Sequence, residues 1–159
     1  MMSLAESVHP GAFLGNRNLW APIITWCLVQ LWKFISRALL DHRIDLGLLI
    51  APGGMPSSHS ALVSALAMSV GLNDGFGSTA FAISTVMAMV VMYDAAGIRR
   101  AAGTHARMIN RIVDELLSGA PWTEDRLREI LGHTPYQVAV GCLAGLLGGW
   151  LFNHWALVA

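Results

Sequence analysis

Of the 159 residues, 55% are hydrophobic and 13% charged, about half the charge of an ordinary soluble domain, which excludes a water-soluble globule and points to helices in a bilayer. Ten basic residues balance ten acidic ones and Lys33 is the only lysine, so no basic field exists to hold nucleic acid. Cys27 and Cys142 sit inside apolar runs, where a small hydrophobic role is expected rather than a disulfide or a metal site.

In chain order, residues 1–16 read as a loose or interfacial leader, with no basic stretch of the kind that opens a cleaved signal peptide. The first apolar segment covers about residues 19–40. Its three tryptophans, Trp20, Trp26 and Trp32, suit an interfacial belt, and Lys33 and Arg37 arrive where the other interface should lie. Lys33 has two readings from sequence: a cation at the mouth of a helix bundle, or one that snorkels to headgroups. A polar connection follows, Asp41 to Gly54, rich enough in turn formers for a loop or a short re-entrant piece. A second, shorter apolar segment runs over about 56–72 and ends at the turn signal Asn73-Asp74-Gly75. The third covers about 76–96.

Residues 97–134 form an amphipathic connection in which Ile109, Ile112, Val113, Leu116 and Leu117 recur at helical spacing until Gly119-Ala120-Pro121. Thr123 is an expected N-cap for a further short helix. The last apolar segment runs over 135–158, and Gly141, Gly145 and Gly149 share one of its faces. Such a face permits close contact within the bundle or between the subunits of a homodimer. The expected fold is therefore all-α: one integral membrane domain over 1–159, with about four transmembrane helices plus short amphipathic ones.

With four spans, Arg17 stands alone on one side of the membrane. The other nine cations, Lys33, Arg37, Arg43, Arg99, Arg100, Arg107, Arg111, Arg126 and Arg128, fall on the opposite side. The positive-inside rule makes that side cytoplasmic, with a bacterial inner membrane as the expected location. On the same side lies Gly53-Gly54-Met55-Pro56-Ser57-Ser58-His59-Ser60-Ala61. Its glycines free the backbone, Pro56 suits a first helical turn and the serines can cap it, so the amides and positive dipole end can hold an anion beside His59. A capped helix start that merely contains a histidine is the alternative. His133 opens the fourth span on this side too. Two histidines beside fixed cations suit phosphoryl transfer, one imidazole attacking phosphorus and the other protonating the leaving oxygen. No clustered His, Cys or carboxylate ligands call for a metal.

These residues resemble a known family. Pro56-Ser57-Ser58-His59-Ser60-Ala61, and Gly132-His133-Thr134-Pro135-Tyr136-Gln137-Val138 with Gly141, are similar to the histidine motifs of the type 2 phosphatidic acid phosphatase and vanadium-dependent haloperoxidase superfamily. Tyr93-Asp94-Ala95-Ala96-Gly97-Ile98-Arg99-Arg100-Ala101-Ala102-Gly103, with Gln30 and Lys33 on the first span, resembles its divergent membrane branch, the acid phosphatase/vanadium-dependent haloperoxidase-related proteins. The similarity covers most of residues 20–155.

The resemblance implies a membrane phosphatase that hydrolyses a lipid phosphate monoester or diphosphate, such as phosphatidic acid, phosphatidylglycerophosphate or an isoprenoid diphosphate. It implies His133 as the nucleophile that becomes phosphohistidine and His59 as the acid. Lys33, Arg99, Arg100 and the amides around Ser57 and Ser58 would hold phosphate, and vanadate would bind as a phosphate mimic without any resident cofactor. Three departures from the superfamily pattern stand out: Leu40 and Leu127 occupy arginine positions, and Gln137 occupies that of the carboxylate that orients the nucleophile. Thr134 and Gln137 also fit a capping box. Asp94 reads as an ion-pair partner that positions Arg99, His105 as a solvated or supporting histidine, and His9, His42 and His154 as interfacial. A noncatalytic protein that binds or assembles around lipid phosphate is the alternative function, with halide oxidation behind it.

Overall fold

The computed structural model describes residues 10–42, 54–116 and 133–158, and among these every regular element is an α-helix. They are α1 (Pro10–Leu14), α2 (Arg17–Asp41), α3 (Ser58–Asp74), α4 (Thr79–Ala96), α5 (Ile98–Leu116) and α6 (Pro135–Val158). Arg17–Leu40 of α2, Thr79–Ala96 of α4 and Pro135–Trp155 of α6 are each long and apolar enough to cross a membrane. With its 17 residues, α3 is the shortest of the four bundle helices, about 25 Å at 1.5 Å per residue, and packs against α2, α4 and α6 together.

The interior is the reverse of a soluble protein's. Buried positions belong to small or polar residues: Ser57, Ser60, Ala61, Ser64, Ala65 and Ser69 on or at the start of α3, with Thr25, Gln30 and Lys33 of α2. Large apolar side chains face outward, as with Ile24, Leu28, Leu31 and Ile35 of α2 and Ile83, Val86, Met87 and Val90 of α4. In lipid an outward leucine loses nothing, whereas small buried side chains let backbones approach and gain dispersion contacts.

That approach is closest between α3 and α6. A Cβ on Gly141 would meet the Ser57 carbonyl oxygen and the Cβ atoms of Ser57 and Ser60, both at 3.0 Å, and one on Gly149 would lie 3.1 Å from Ala65 Cα. Gly145 abuts Ala61 in the same way. Of the two uses open to the glycine face from sequence, the bundle contact is the one made, and the face is not available to a second subunit.

Side-chain caps fix where the helices begin. Asn16, Ser57 and Ser78 accept from the amides of Leu19, Ser60 and Phe81, respectively. Because Ser57 is the cap, Pro56 lies outside α3, joined to Met55 by a cis peptide bond, rather than in its first turn. The expected turn at Asn73-Asp74-Gly75 falls late for the same kind of reason: α3 runs through Asp74, and Gly75, at φ +94°, makes the reversal. Asn73 is held in the helix because its amide reaches Asn18 (2.9 Å) and Asn153 (2.8 Å), while Asn153 donates to Ser69 Oγ at 3.0 Å. This polar knot, buried at Ser69 and Asn153, ties α2, α3 and α6 at the end of the bundle remote from His59. The tryptophans of α2 do not form one belt, since Trp20 and Trp32 stand about 18 Å apart along the helix axis at 1.5 Å per residue.

Candidate active site

At the other end three helix termini converge. The Ser57 amide donates to Gln137 O (3.1 Å), joining the start of α3 to the first turn of α6, and the His133 amide donates to Ala95 O (3.1 Å), joining the approach to α6 to the last turn of α4. The Ser57 amide, at the N-cap of α3, and the Ala95 carbonyl, in the last turn of α4, are of the kind that a helix end leaves without an intrahelical partner. They place His59, in the first turn of α3, beside His133, just before α6. Their ring centroids are 6.3 Å apart with planes inclined at 62°. His133 is 6% exposed and His59 half-buried, so both rings lie under the surface and between two positive helix ends.

The capping box expected from Thr134 and Gln137 is present and does a second job. Gln137 N donates to Thr134 Oγ1 (3.3 Å), and Thr134 N donates to Gln137 Oε1 (3.0 Å). Accepting from an amide identifies Oε1 as the oxygen of the side chain. The same oxygen lies 3.3 Å from His133 Nδ1, so Nδ1 must carry the proton in the neutral ring and Nε2 keeps its lone pair. A residue that closes a helix thus also selects the tautomer of the histidine.

Lys33 enters from α2. It is 6% exposed, its Nζ donates to the buried Gln30 Oε1 at 2.8 Å, and its Cε lies 3.3 Å from where a Cβ on Gly54 would stand. Of its two sequence readings, the bundle mouth is therefore the correct one. Gly54, at φ +77°, suits this place twice, since it takes the left-handed conformation and leaves room for the lysine.

Ser57 is corrected in part. Its amide is engaged by Gln137 O, and its hydroxyl accepts from both Ser60 N (3.4 Å) and Ser60 Oγ (3.0 Å), so it builds the helix start rather than offering an amide to an anion. Ser58 is buried at the first helical position of α3, where a backbone N–H has no intrahelical partner. Arg99 and Arg100 lie in the first turn of α5, two and three residues beyond Gly97, and their side chains fall outside the described residues, as do Arg126, Leu127 and Arg128. Asp94 is half-buried in the last turn of α4. His105 is exposed on α5, and His154, exposed on α6, stacks on Trp150 with ring centroids 5.3 Å apart at the opposite end of the bundle.

Sequence reasoning missed the parts played by Gln30 and by the Ala95 carbonyl. The three-residue spacing from Gln30 to Lys33 was a usable signal, because it puts both on one helical face. Nothing local marks Ala95.

The whole constellation, from Lys33 to His133, lies within a stretch that matches the Divergent PAP2 family, residues 14–148. The chain belongs to that family. A membrane protein of Bacillus subtilis (strain 168), YuiD, which is itself uncharacterised, is 35% identical over 145 residues, spanning 84% of this chain and 92% of its own. No solved structure matches the chain. As a member of the Divergent PAP2 family, with apolar helices of spanning length and a relative that is a membrane protein, the chain is a membrane protein.

Proposed function

We propose that the chain is a metal-independent lipid phosphatase working through phosphohistidine. The observation that carries this reading is the pairing of His59 with a His133 held in one tautomer at the junction of two helix N-termini. In the first step His133 Nε2 attacks phosphorus, the bond from phosphorus to the lipid oxygen breaks, and His59 gives that oxygen its proton. In the second, His59 takes a proton from water, the hydroxide attacks phosphorus, and the N–P bond breaks to release phosphate and restore both rings.

Lys33, with Arg99, Arg100 and the Ser58 amide, would neutralise the charge on the equatorial oxygens. The substrate is a phosphate monoester or diphosphate on a lipid, because a site set among the ends of membrane-length helices can take a headgroup while the tail remains in lipid. The cation distribution supports a site on the cytoplasmic side of a bacterial inner membrane.

A second reading, a noncatalytic lipid-phosphate-binding protein, is favoured by one observation: the amide of Gln137 can orient His133 but cannot stabilise its imidazolium as a carboxylate would. Phosphate release from a panel of lipid phosphates by detergent-solubilised protein separates the two. Catalysis predicts turnover that drops at least about a hundredfold in His133→Ala and in His59→Ala, with substrate binding better preserved. No release from any member of the panel, or release unchanged in both variants, refutes the phosphohistidine mechanism.

A further inference from the structure

Gly97 alone separates the end of α4 at Ala96 from the start of α5 at Ile98. A helix that leaves a membrane-spanning segment within one residue starts at the level of the bilayer surface, so its own amphipathic pattern decides what it meets there. Among the described side chains of α5 the exposed large apolar ones are Met108, Ile109, Ile112 and Leu116, which at 3.6 residues per turn fall within about 100° of arc. Exposed Arg107 and Arg111 are centred about 130° round the helix from this stripe, and exposed Thr104 stands on its flank, one turn before Met108. Between the stripe and the arginines, Gly103 is buried and Ala106 and Asn110 are half-buried, the edge by which α5 meets the protein. The stripe is therefore turned outward. His105, exposed within the same arc, fits a headgroup-level position because its ring is apolar in body and polar at the tip.

Charge points the same way. The α5 sequence carries Arg99, Arg100, Arg107 and Arg111 against Asp114 and Glu115, four positive less two negative for a net +2, with the arginines in the part nearer the span. Hydrophobic surface on one side and arginines on the other, at a helix continuous with a membrane span, is the make-up of a segment that lies in an anionic interface.

We propose that α5 lies in the plane of the bilayer surface, with its Met108, Ile109, Ile112 and Leu116 stripe at the headgroup–acyl boundary and Arg107 and Arg111 on anionic lipid headgroups. The bilayer surface then becomes a wall of the structure that carries His133, because α5 is rooted on the same last turn of α4 whose Ala95 carbonyl holds the His133 amide. This assignment does not depend on the phosphatase reading.

The test uses the full chain with Cys27→Ala and Cys142→Ala, reconstituted in vesicles of phosphatidylcholine with or without phosphatidylglycerol. Nitroxides are attached in turn to Thr104→Cys, Arg107→Cys, Ile109→Cys and Ile112→Cys, and collision with oxygen is compared with collision with a nickel chelate. The expected result is a several-fold higher oxygen-to-nickel ratio at 109 and 112 than at 104 and 107. Phosphatidylglycerol should raise the ratio at 109 and 112, and high salt or Arg111→Gln should reverse that rise. Equal ratios at all four positions would place α5 in water and overturn the proposal. Spin–spin broadening at 109 and 112 that disappears on dilution with unlabelled protein would overturn it too, showing a second copy on the stripe. Ratios indifferent to phosphatidylglycerol would remove the anionic headgroups as the partner.

Discussion

Replacing Gly141 by alanine adds one methyl group where α6 crosses the start of α3, and its consequences can be worked out from the contacts there. The new Cβ would stand 3.0 Å from the Cβ atoms of Ser57 and Ser60 and closer still to the Ser57 carbonyl, whereas ordinary contact begins at 3.4 Å. The obstructing atoms belong to backbone and to two fully buried serines, so no flexible side chain can swing aside. Relief requires the helices to part by about half an ångström or more, and overpacking of this kind costs about 1–3 kcal/mol. The same displacement strains the hydrogen bond from Ser57 N to Gln137 O and moves His59 away from His133. Because misplacement of reacting groups by about 1 Å can cost about a hundredfold in rate, turnover of a lipid phosphate should fall by about ten- to a hundredfold. Two controls isolate the cause. Gly149→Ala meets a similar obstruction at Ala65 but far along α6 from His133, so it should lose thermal stability comparably and activity much less. Gly77→Ala, with nothing within 4 Å, should change neither. Phosphate release and thermal unfolding of the detergent-solubilised protein are the assays. If Gly141→Ala retained both wild-type stability and wild-type turnover, the close crossing of α6 over Ser57 would be wrong, and with it the basis for bringing the two histidines together.

Gln137→Leu should lose about 1 kcal/mol of stability with its cap and lower activity by freeing the His133 ring, while Gln137→Glu keeps the cap. The carboxylate of the second variant stabilises the imidazolium, so His133 becomes neutral only at higher pH and the acid limb of the pH–rate profile moves upward; an unchanged profile would confine Gln137 to capping. Vanadate should inhibit competitively, since it adopts the geometry of the transferring phosphoryl group, and Lys33→Met, Arg99→Ala or Arg100→Ala should each weaken inhibition by about ten- to a hundredfold, the scale of one charge-assisted hydrogen bond of about 1.5–3 kcal/mol. Asn153→Leu removes the hydrogen bonds that Asn153 makes with Ser69 Oγ and Asn73 Nδ2 and, at about 0.5–1.5 kcal/mol each, should destabilise the protein by about 1–3 kcal/mol with little change in activity of the remaining folded molecules, which separates the two ends of the bundle. With Cys27 and Cys142 removed, Gly77→Cys should react with an impermeant thiol reagent from outside intact cells and Thr104→Cys should not; the reverse pattern would put the histidines on the outer side.

Much of the fold was legible along the chain because a bilayer imposes one-dimensional rules. Runs of apolar residues, side-chain caps such as Ser57 and Thr134, and glycines at fixed spacing on α6 each depend on residues within one or two helical turns. The two histidines could be paired because motif and cation count placed them at one membrane face, and the capping box around Gln137 was written in the three residues from Thr134. What depends on distant residues meeting was not legible. Helix periodicity cannot say which neighbour occupies a glycine face, so only the bundle revealed that Gly141, Gly145 and Gly149 receive α3 of the same chain. Pattern likewise left Lys33 open between headgroups and interior; the answer depends on Gly54 leaving space for it and on Gln30 Oε1 accepting its hydrogen bond. The Ser57 amide was an anion donor by local rules until the Gln137 carbonyl, some eighty residues on, engaged it. Local sequence fixes the hydrogen-bonding groups that each helix end leaves over, and tertiary packing decides whether another helix end, a lysine or a ligand receives them.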